Sequence, residues 1–402
     1  MKDWKNHFAP RANRMQASEI RELLKLLDQP DIISFAGGIP DPKLFPREKL
    51  AAAFERVLSD PNRAGAALQY SVSEGYLPLR EWLAGYMGRL GVACTADNIV
   101  ITNGSQQALD FLGKLCIGPG DRVLVAWPTY LGALQSFNCY EPVYDTLPGP
   151  ESNRTVESYR NGPGPAPKLG YVMPEFQNPT GTSLDLAERK ALLDAADELD
   201  LLLIEDSAYE KLRYDGKREP SLLQLSIERT GHIDDARVVY CGTFSKTIVP
   251  SLRVGWVVAP KAIIQKIVLI KQASDLHSPT LNQMVMHDVA AEIIETHGLQ
   301  IRDAYKARRD AMLQALEREM PPGVTWTKPE GGMFIWVTLP SDLDGAKLLE
   351  RAITEARVAF VPGEAFYADR SQRNHIRLSF SATNPAAIDD GIARLGKLLK
   401  KA

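Results

Sequence analysis

The sequence predicts an α/β protein: a large α/β/α domain on a mostly parallel sheet, followed by a smaller α+β domain. Three observations predict it. From residue 99 to residue 204, short apolar runs alternate with stretches of helical periodicity, the rhythm of βα units. Those runs end in loops rich in glycine, proline or small polar residues, where open parallel sheets take their ligands. In the last third, strands and helices no longer alternate as they would in one sheet. The expected division is 1–45 (an N-terminal helix and loop packing with the small domain), 46–290 (the large domain) and 291–402 (the small domain).

Bulk properties narrow the function classes. The 402 residues suffice for two or three domains' worth of core, and 45% hydrophobic with 24% charged content is ordinary for a globular chain. A net charge of −3 gives no electrostatic support to a nucleic-acid partner. The polar start MKDWKNHFAPRANR lacks the apolar core of a secretory leader, and no apolar run approaches a membrane span, so a cytoplasmic protein is expected. Cys94, Cys116, Cys139 and Cys241 are scattered without metal-type spacing, and the histidines form no ligand cluster; reduced thiols and no metal are expected.

In chain order, Ser18–Leu27 reads as an amphipathic helix. Ile20, Leu23, Leu24 and Leu27 recur at i, i+3, i+4 and i+7, and Ser18 is an N-cap candidate. Arg21 lies off that stripe, where a solvated charge is the ordinary reading. IISFAGGIPDPKLFP ends an apolar run at Gly37-Gly38; such a pair lets a backbone approach a ligand, or simply turns the chain. Lys49–Leu58 and Tyr76–Arg89 read as helices, with Tyr70 in the loop between them. Ile99–Thr102 is a strand, Asn103-Gly104-Ser105 a turn, and Ala108, Phe111, Leu112 and Leu115 mark one face of the next helix. A helix opened by such a turn presents free N–H groups and its positive dipole end, which suits a phosphate; an ordinary Ser-capped helix has the same pattern. GxGxxG is absent, which argues against a dinucleotide.

Arg122–Ala126 is a strand followed by Pro128-Thr129-Tyr130, and Tyr130 can stack on a planar ring or close the core. A polar stretch rich in proline and glycine, 148–168, reads as surface connection. The strand Leu169–Met173 ends in PEFQNPTG, where Pro179 holds Asn178 extended with its amide available to a ligand. After the helix Ala187–Glu198 comes the bare strand Leu201–Ile204, then Glu205-Asp206-Ser207-Ala208-Tyr209. A carboxylate at the end of a buried parallel strand faces the ligand crevice, although an N-cap aspartate is a common alternative.

The stretch VVYCGTFSKTIVPSLRVGW, from Val238 to Trp256, concentrates the chemistry. An apolar strand ends near Gly242, hydroxyls precede Lys246, and Arg253 follows. A lysine at the mouth of a buried strand can form a Schiff base with a carbonyl, while the hydroxyls and arginine can hold a phosphate; together they suggest pyridoxal phosphate (PLP). Taken alone, the window favours an ordinary solvated lysine, and the case for Lys246 rests on the rest of the chain. It is not a P-loop, because Ser245 and Tyr240 occupy the glycine positions and Pro250 interrupts any following helix. PLP also needs an anion beside its pyridine nitrogen, for which Asp206 is the candidate. The chain continues through helical segments at Ile263–Ile270 and Asn282–Met320. Strands at Val324–Lys328 and Met333–Leu339 follow, then a helix at Lys347–Ala356, a strand at Ile376–Ser379 and a closing helix at Ala386–Leu399.

NGSQQALD, PEFQNPTG, EDSAYE, GTFSKTIVPSLRVGW and IRLSFS, in this order, resemble the class I/II aminotransferases of PLP-dependent transferase fold type I. QASEIRELLK, SFAGGIPDPKLFP, LQYSVSEGY and SDLHSPTLNQ are similar to the α-aminoadipate and kynurenine-type subgroup. The resemblance implies that Lys246 binds the cofactor and then acts as the base in the proton shift, and that Asp206 pairs with the pyridinium nitrogen. Asn178 and Tyr209 would hydrogen-bond the ring's phenolic oxygen, and Tyr130 would stack on the ring. Gly104, Ser105, Gln106, Ser245 and Arg253 would hold the phosphate, partly through backbone N–H groups. Arg377 would grip the substrate α-carboxylate, with Asn178 and Gly38 also lining the substrate. Tyr70 would reach the phosphate of a neighbouring subunit, which makes the protein a homodimer with shared sites. Arg21 would face an acidic substrate side chain. Thr243 stands where many relatives have serine, and either hydroxyl serves.

The expected activity is a ping-pong transfer of an amino group from an L-amino acid of 2-aminoadipate, aromatic or branched-chain type to a 2-oxo acid, with 2-oxoglutarate the expected acceptor. Another PLP reaction on the same scaffold, decarboxylation or elimination, stays open, because sequence does not give the orientation of the Cα bonds. A PLP-domain transcription regulator is disfavoured by the acidic balance and by a domain signature already under way at Gln16.

Overall fold

The computed structural model describes residues 4–15, 31–149, 152 and 154–401. The expected helix Ser18–Leu27, with Arg21, lies outside them. The first strand, β1 (Ile33–Ser34), pairs far away in sequence and is taken up below. The large sheet is built from β2 (Ile99–Thr102), β3 (Arg122–Val125), β4 (Val143–Thr146), β5 (Pro167–Val172), β6 (Leu202–Asp206), β7 (Val238–Thr243) and β8 (Gly255–Val258). Their spatial order is β2-β8-β7-β6-β5-β3-β4. β8 runs antiparallel to both neighbours, and the other pairs are parallel.

Every residue of β2, β3, β7 and β8 is buried, which is why these strands read as bare apolar runs rather than as alternating ones. The period of two survives in what each side chain meets. Val100, Val239 and Cys241 face a core built with Phe111 and Leu112 of the helix Ser105–Cys116 and Ile264 and Ile267 of Lys261–Ser274. Ile99, Ile101, Val238 and Tyr240 face a second core. There they meet Leu79 and Leu83 of Leu77–Arg89, Leu192 of Leu186–Leu199 and Leu222 of Leu222–Thr230. The sheet is thus covered on both faces, as the sequence predicts, and the loops at the ends of β2, β5, β6 and β7 are left to carry chemistry.

The helix Thr280–Glu319 runs 40 residues without a break. Its first half packs on the large sheet through Met284, Val285 and Val289. Its second half, through Ile301, Tyr305 and Met312, joins a core shared with Phe334, Ile376 and Ile392. That core belongs to a small antiparallel sheet ordered β12-β13-β10-β9, from β9 (Thr325–Trp326), β10 (Phe334–Thr338), β12 (Val361–Pro362) and β13 (His375–Ser379). β1 pairs in parallel with β11 (Val358–Ala359), and Phe35 continues the seam by donating its N–H to the Ala359 carbonyl at 2.7 Å and accepting from Ser379 N–H at 2.8 Å. The chain around residues 33–36 is therefore seated against the C-terminal strands. No described helix is long and apolar enough to cross a membrane.

Several elements depart from the expected ones. The helix Leu131–Asn138 buries residues on most of its surface, so no polar face gave it a helical stripe. β4 is a half-exposed edge strand of mixed polarity, just before the polar run at 148–168, that the sequence reading did not assign. Val324–Lys328 shrinks to β9, and the helix near 347–356 opens after Arg351 into a wider turn over Ala352–Ala356. β7 continues through Gly242 to Thr243, because a Cβ on Gly242 would lie 2.2 Å from the Trp256 ring on β8. Glycine is what lets these strands pair beneath that indole. Gly242→Ala should therefore destabilise the fold by about 1–3 kcal/mol through overpacking, lowering the urea midpoint at an unchanged m-value. A midpoint equal to wild type would contradict this contact.

Candidate active site

The sites proposed from sequence converge at the carboxyl ends of β5, β6 and β7. β6 carries Asp206 as its last residue, 2% exposed. Tyr171 of β5 donates its hydroxyl to Asp206 Oδ2 at 2.9 Å, while Oδ1 is buried without a partner. Burial raises the Asp206 carboxyl to about 6; the Tyr171 hydrogen bond, the Lys246 charge and the Ala208 N–H work in the opposite direction.

Lys246 lies just past β7, partly buried, with Nζ donating to the Gly38 carbonyl at 3.2 Å. Burial depresses its ammonium to about 8, helped by the positive charges of Arg253 and Arg377 and opposed by Asp206. The shift has a plain chemical consequence. At neutral pH roughly a tenth of Lys246 is a free amine, where an ordinary lysine, titrating near 10.4, would hold almost none.

Arg377 sits in β13, 1% exposed. Its Nη1 donates to Asn178 Oδ1 at 2.8 Å and its Nη2 to the Ala36 carbonyl at 2.9 Å, while Nε is buried without a partner. Its guanidinium lies 4.2 Å from the Phe334 ring centroid and 5.0 Å from that of Phe366. Burial lowers it to about 10, so it stays charged at neutral pH. Asn178 is buried and also hydrogen-bonds Tyr209, whose phenol is pushed up by burial. The glycine pair comes close too: a Cβ on Gly38 would meet Phe334 at 2.8 Å and Arg377 Nη2 at 3.8 Å.

A second group forms at the end of β2. Gly104, at φ +79°, is the N-cap of Ser105–Cys116, so the first N–H groups of that helix lack intrahelical partners. Arg253 folds over it in the left-handed region at φ +55° and donates Nη2 to the Asn103 carbonyl at 3.0 Å. A Cβ on Gly104 would collide with that guanidinium at 2.4 Å, which explains why glycine stands there. Ser245 accepts from Thr243 Oγ1 at 2.9 Å, so the threonine noted as a departure helps to orient the serine. The Gln106 amide donates to the Gly132 carbonyl and to Ser136 Oγ, which leaves only its backbone for an anion. Tyr130 donates to Gln106 Oε1 at 3.3 Å.

One expected residue is not in this cluster. Tyr70 is 79% exposed, its ring edge-on to His277 at 5.9 Å. Arg21 lies outside the described residues. Sequence reasoning missed Tyr171, Phe334 and Phe366. The signal for Tyr171 was a lone hydroxyl in an otherwise apolar strand, since a buried phenol needs a partner.

A depressed lysine, a raised buried carboxylate and a buried guanidinium, on a fold of this architecture, define a PLP-dependent enzyme. The chain belongs to the class I and II aminotransferases, whose family model matches residues 31–395. It is 42% identical to a 2-aminoadipate transaminase of Thermus thermophilus, over 99% of this chain and 97% of that one. It is 41% identical to Aromatic-amino-acid aminotransferase 1 of Thermococcus litoralis, over 99% and 95%. Among solved structures, the α-aminoadipate aminotransferase of Thermus thermophilus complexed with N-(5′-phosphopyridoxyl)-L-leucine superposes with a TM-score of 0.89 at 41% identity, covering 100% of this chain and 99% of that one. The protein is thus a PLP-dependent aminotransferase of fold type I, acting on small amino and 2-oxo acids. The residues present fit the cofactor: Asp206 Oδ1 and Arg377 Nε are buried and unpartnered, and Gly104 leaves its helix end open beside Arg253.

The bond from Tyr171 lowers the Asp206 pKa, so its loss should raise it. Tyr171→Phe should move the Asp206 titration above about 6 in the cofactor-free protein, read by carbon NMR of labelled aspartate carboxyls. An unchanged midpoint would contradict the assignment.

Proposed function

We propose that this enzyme moves an amino group from an L-amino acid of 2-aminoadipate, aromatic or branched-chain type to 2-oxoglutarate by a ping-pong cycle. The observation that carries the reading is the buried Arg377–Asn178 pair beside an amine held near pH 8. When bound, pyridoxal phosphate supplies a carbonyl carbon for the amine and a ring that accepts the electron pair left at the substrate Cα. Lys246 would hold the cofactor through Nζ and, as a free amine, would carry the proton between the substrate Cα and the far side of the transferred nitrogen. Asp206 keeps the ring nitrogen protonated through its free oxygen. Asn178 and Tyr209 would donate to the phenolic oxygen, and Tyr130 would lie against the ring. Backbone N–H groups of Gly104, Ser105 and Gln106, with Ser245 and Arg253, take the phosphate. Arg377 binds the substrate carboxylate as a planar bidentate donor, against the backbone at Gly38.

The donor range is supported by what the relatives are named for: 2-aminoadipate in one, aromatic amino acids in another. Arg21 is proposed to meet an acidic side chain. The proposed domain limits, 46 and 290, put the second boundary inside the helix Thr280–Glu319, which then serves as a common spine. A homodimer is proposed because Tyr70 stands exposed away from the site of its own chain, with Leu68 and Val72 exposed beside it. A cytoplasmic location is supported by four free cysteines.

Lys246→Ala should lower turnover by at least about 10²- to 10⁴-fold, the range for losing a positioned proton-transfer group. Transamination at the wild-type rate would contradict the role. Initial velocities with 2-aminoadipate varied at several 2-oxoglutarate levels should give parallel reciprocal lines; intersecting lines would exclude the ping-pong cycle.

A further inference from the structure

Behind the Gly104 turn lies a charged pair to which no step of the reaction assigns a role. Lys271, in the last turn of the helix Lys261–Ser274, is fully buried. Its Nζ donates to both oxygens of Asp275, at 2.8 and 3.1 Å, and to Ser278 Oγ at 2.9 Å. Asp275 Oδ2 also accepts from Asn103 Nδ2 at 2.7 Å and from Gln107 Nε2 at 2.9 Å. One carboxylate therefore clamps both flanks of the Gly104-Ser105-Gln106 turn. Gln107 closes the loop by accepting from the Asn103 N–H at 2.8 Å, and the Asn103 carbonyl receives Arg253 Nη2 at 3.0 Å.

Stability alone does not call for such a pair. Lys271 is fully buried and Asp275 only 22% exposed; taking such ions out of water costs up to several kcal/mol each, and apolar replacements of buried pairs are often neutral or stabilising. What an apolar pair would not reproduce is the set of N–H donors gathered on one oxygen from both sides of a turn.

We propose that Lys271 and Asp275 are positioning residues for the cofactor phosphate. Asp275 fixes the Asn103–Gln107 turn so that its N–H groups and Arg253 converge on one anion, and Lys271 holds Asp275 in place. This rests on the reading of Gly104, Ser105, Gln106 and Arg253 as the phosphate cup.

The test compares two ligands on the full-length protein freed of cofactor: pyridoxal 5′-phosphate, and pyridoxal, which keeps the ring and carbonyl but lacks the phosphate. Asp275→Asn should weaken binding of the phosphorylated ligand by about tenfold or more, the effect of losing a hydrogen bond to a charged group, and leave pyridoxal binding at the wild-type level. Equal losses for both ligands, or an unchanged ratio of affinities, would overturn the proposal. Arg253→Leu separates the two readings. If that variant keeps the wild-type ratio, the cup itself is misassigned; if it collapses the ratio while Asp275→Asn does not, only the positioning role fails. Should Asp275→Asn not fold, K271M/D275N removes both charges and is expected to show the same fall in ratio; a wild-type ratio there would again overturn the proposal.

Discussion

Taking an ammonium, a carboxylate and a guanidinium out of water costs several kcal/mol per ion before any pairing, and this molecule does it with Lys246, Asp206 and Arg377 in one place. None of the three is fully paired. Asp206 keeps a bare oxygen, Arg377 a bare Nε, and Lys246 donates to a single neutral carbonyl. Burial pushes lysine and aspartate toward each other on the pH scale, lysine down to about 8 and aspartate up to about 6, and their mutual attraction offsets only part of it. Groups displaced in this way cluster where protons are moved. Much of the architecture follows from that cost. A sheet covered on both faces supplies the dry floor, and the small sheet delivers Arg377 from β13, with the 33–38 stretch seated beside it.

The same cost explains how the cofactor fits. A phosphate, a pyridinium and a substrate carboxylate are ionic partners for groups that the protein has left incompletely paired. At the proposed phosphate end the protein offers backbone geometry: Gly104 in the left-handed region, a helix end, and Arg253 folded against the glycine. The Lys271–Asp275 pair lies one layer further back, where it touches the turn and not the ligand position.

Much of this was legible in the sequence. Lys246 and Asp206 each follow an apolar run, and a residue at the end of a buried parallel strand has few places to point. Asn178 was readable from the proline after it, and Gly104 from the turn that opens its helix. Tyr171 was not: its lone hydroxyl called for a buried partner, but in a run buried on both faces from Leu169 onward nothing local says which face the ring takes. Lys271 and Asp275 were not either. Four residues apart at a helix end, they look like an ordinary solvated pair, and only packing against Asn103 and Gln107, more than a hundred residues earlier, buries the lysine. β4 and the Leu131–Asn138 helix escaped for the converse reason, the first because it is a half-exposed edge and the second because burial on most sides erased its stripe.

The central claim is that this buried site accepts an amino group and can pass it on. The most direct measurement is the visible spectrum of the purified, cofactor-loaded protein, taken as single amino acids are added without an acceptor. The account predicts a yellow band that bleaches with 2-aminoadipate or an aromatic amino acid and returns when 2-oxoglutarate is supplied. A band unmoved by any donor, or a protein that stays colourless when pyridoxal phosphate is added, would contradict it.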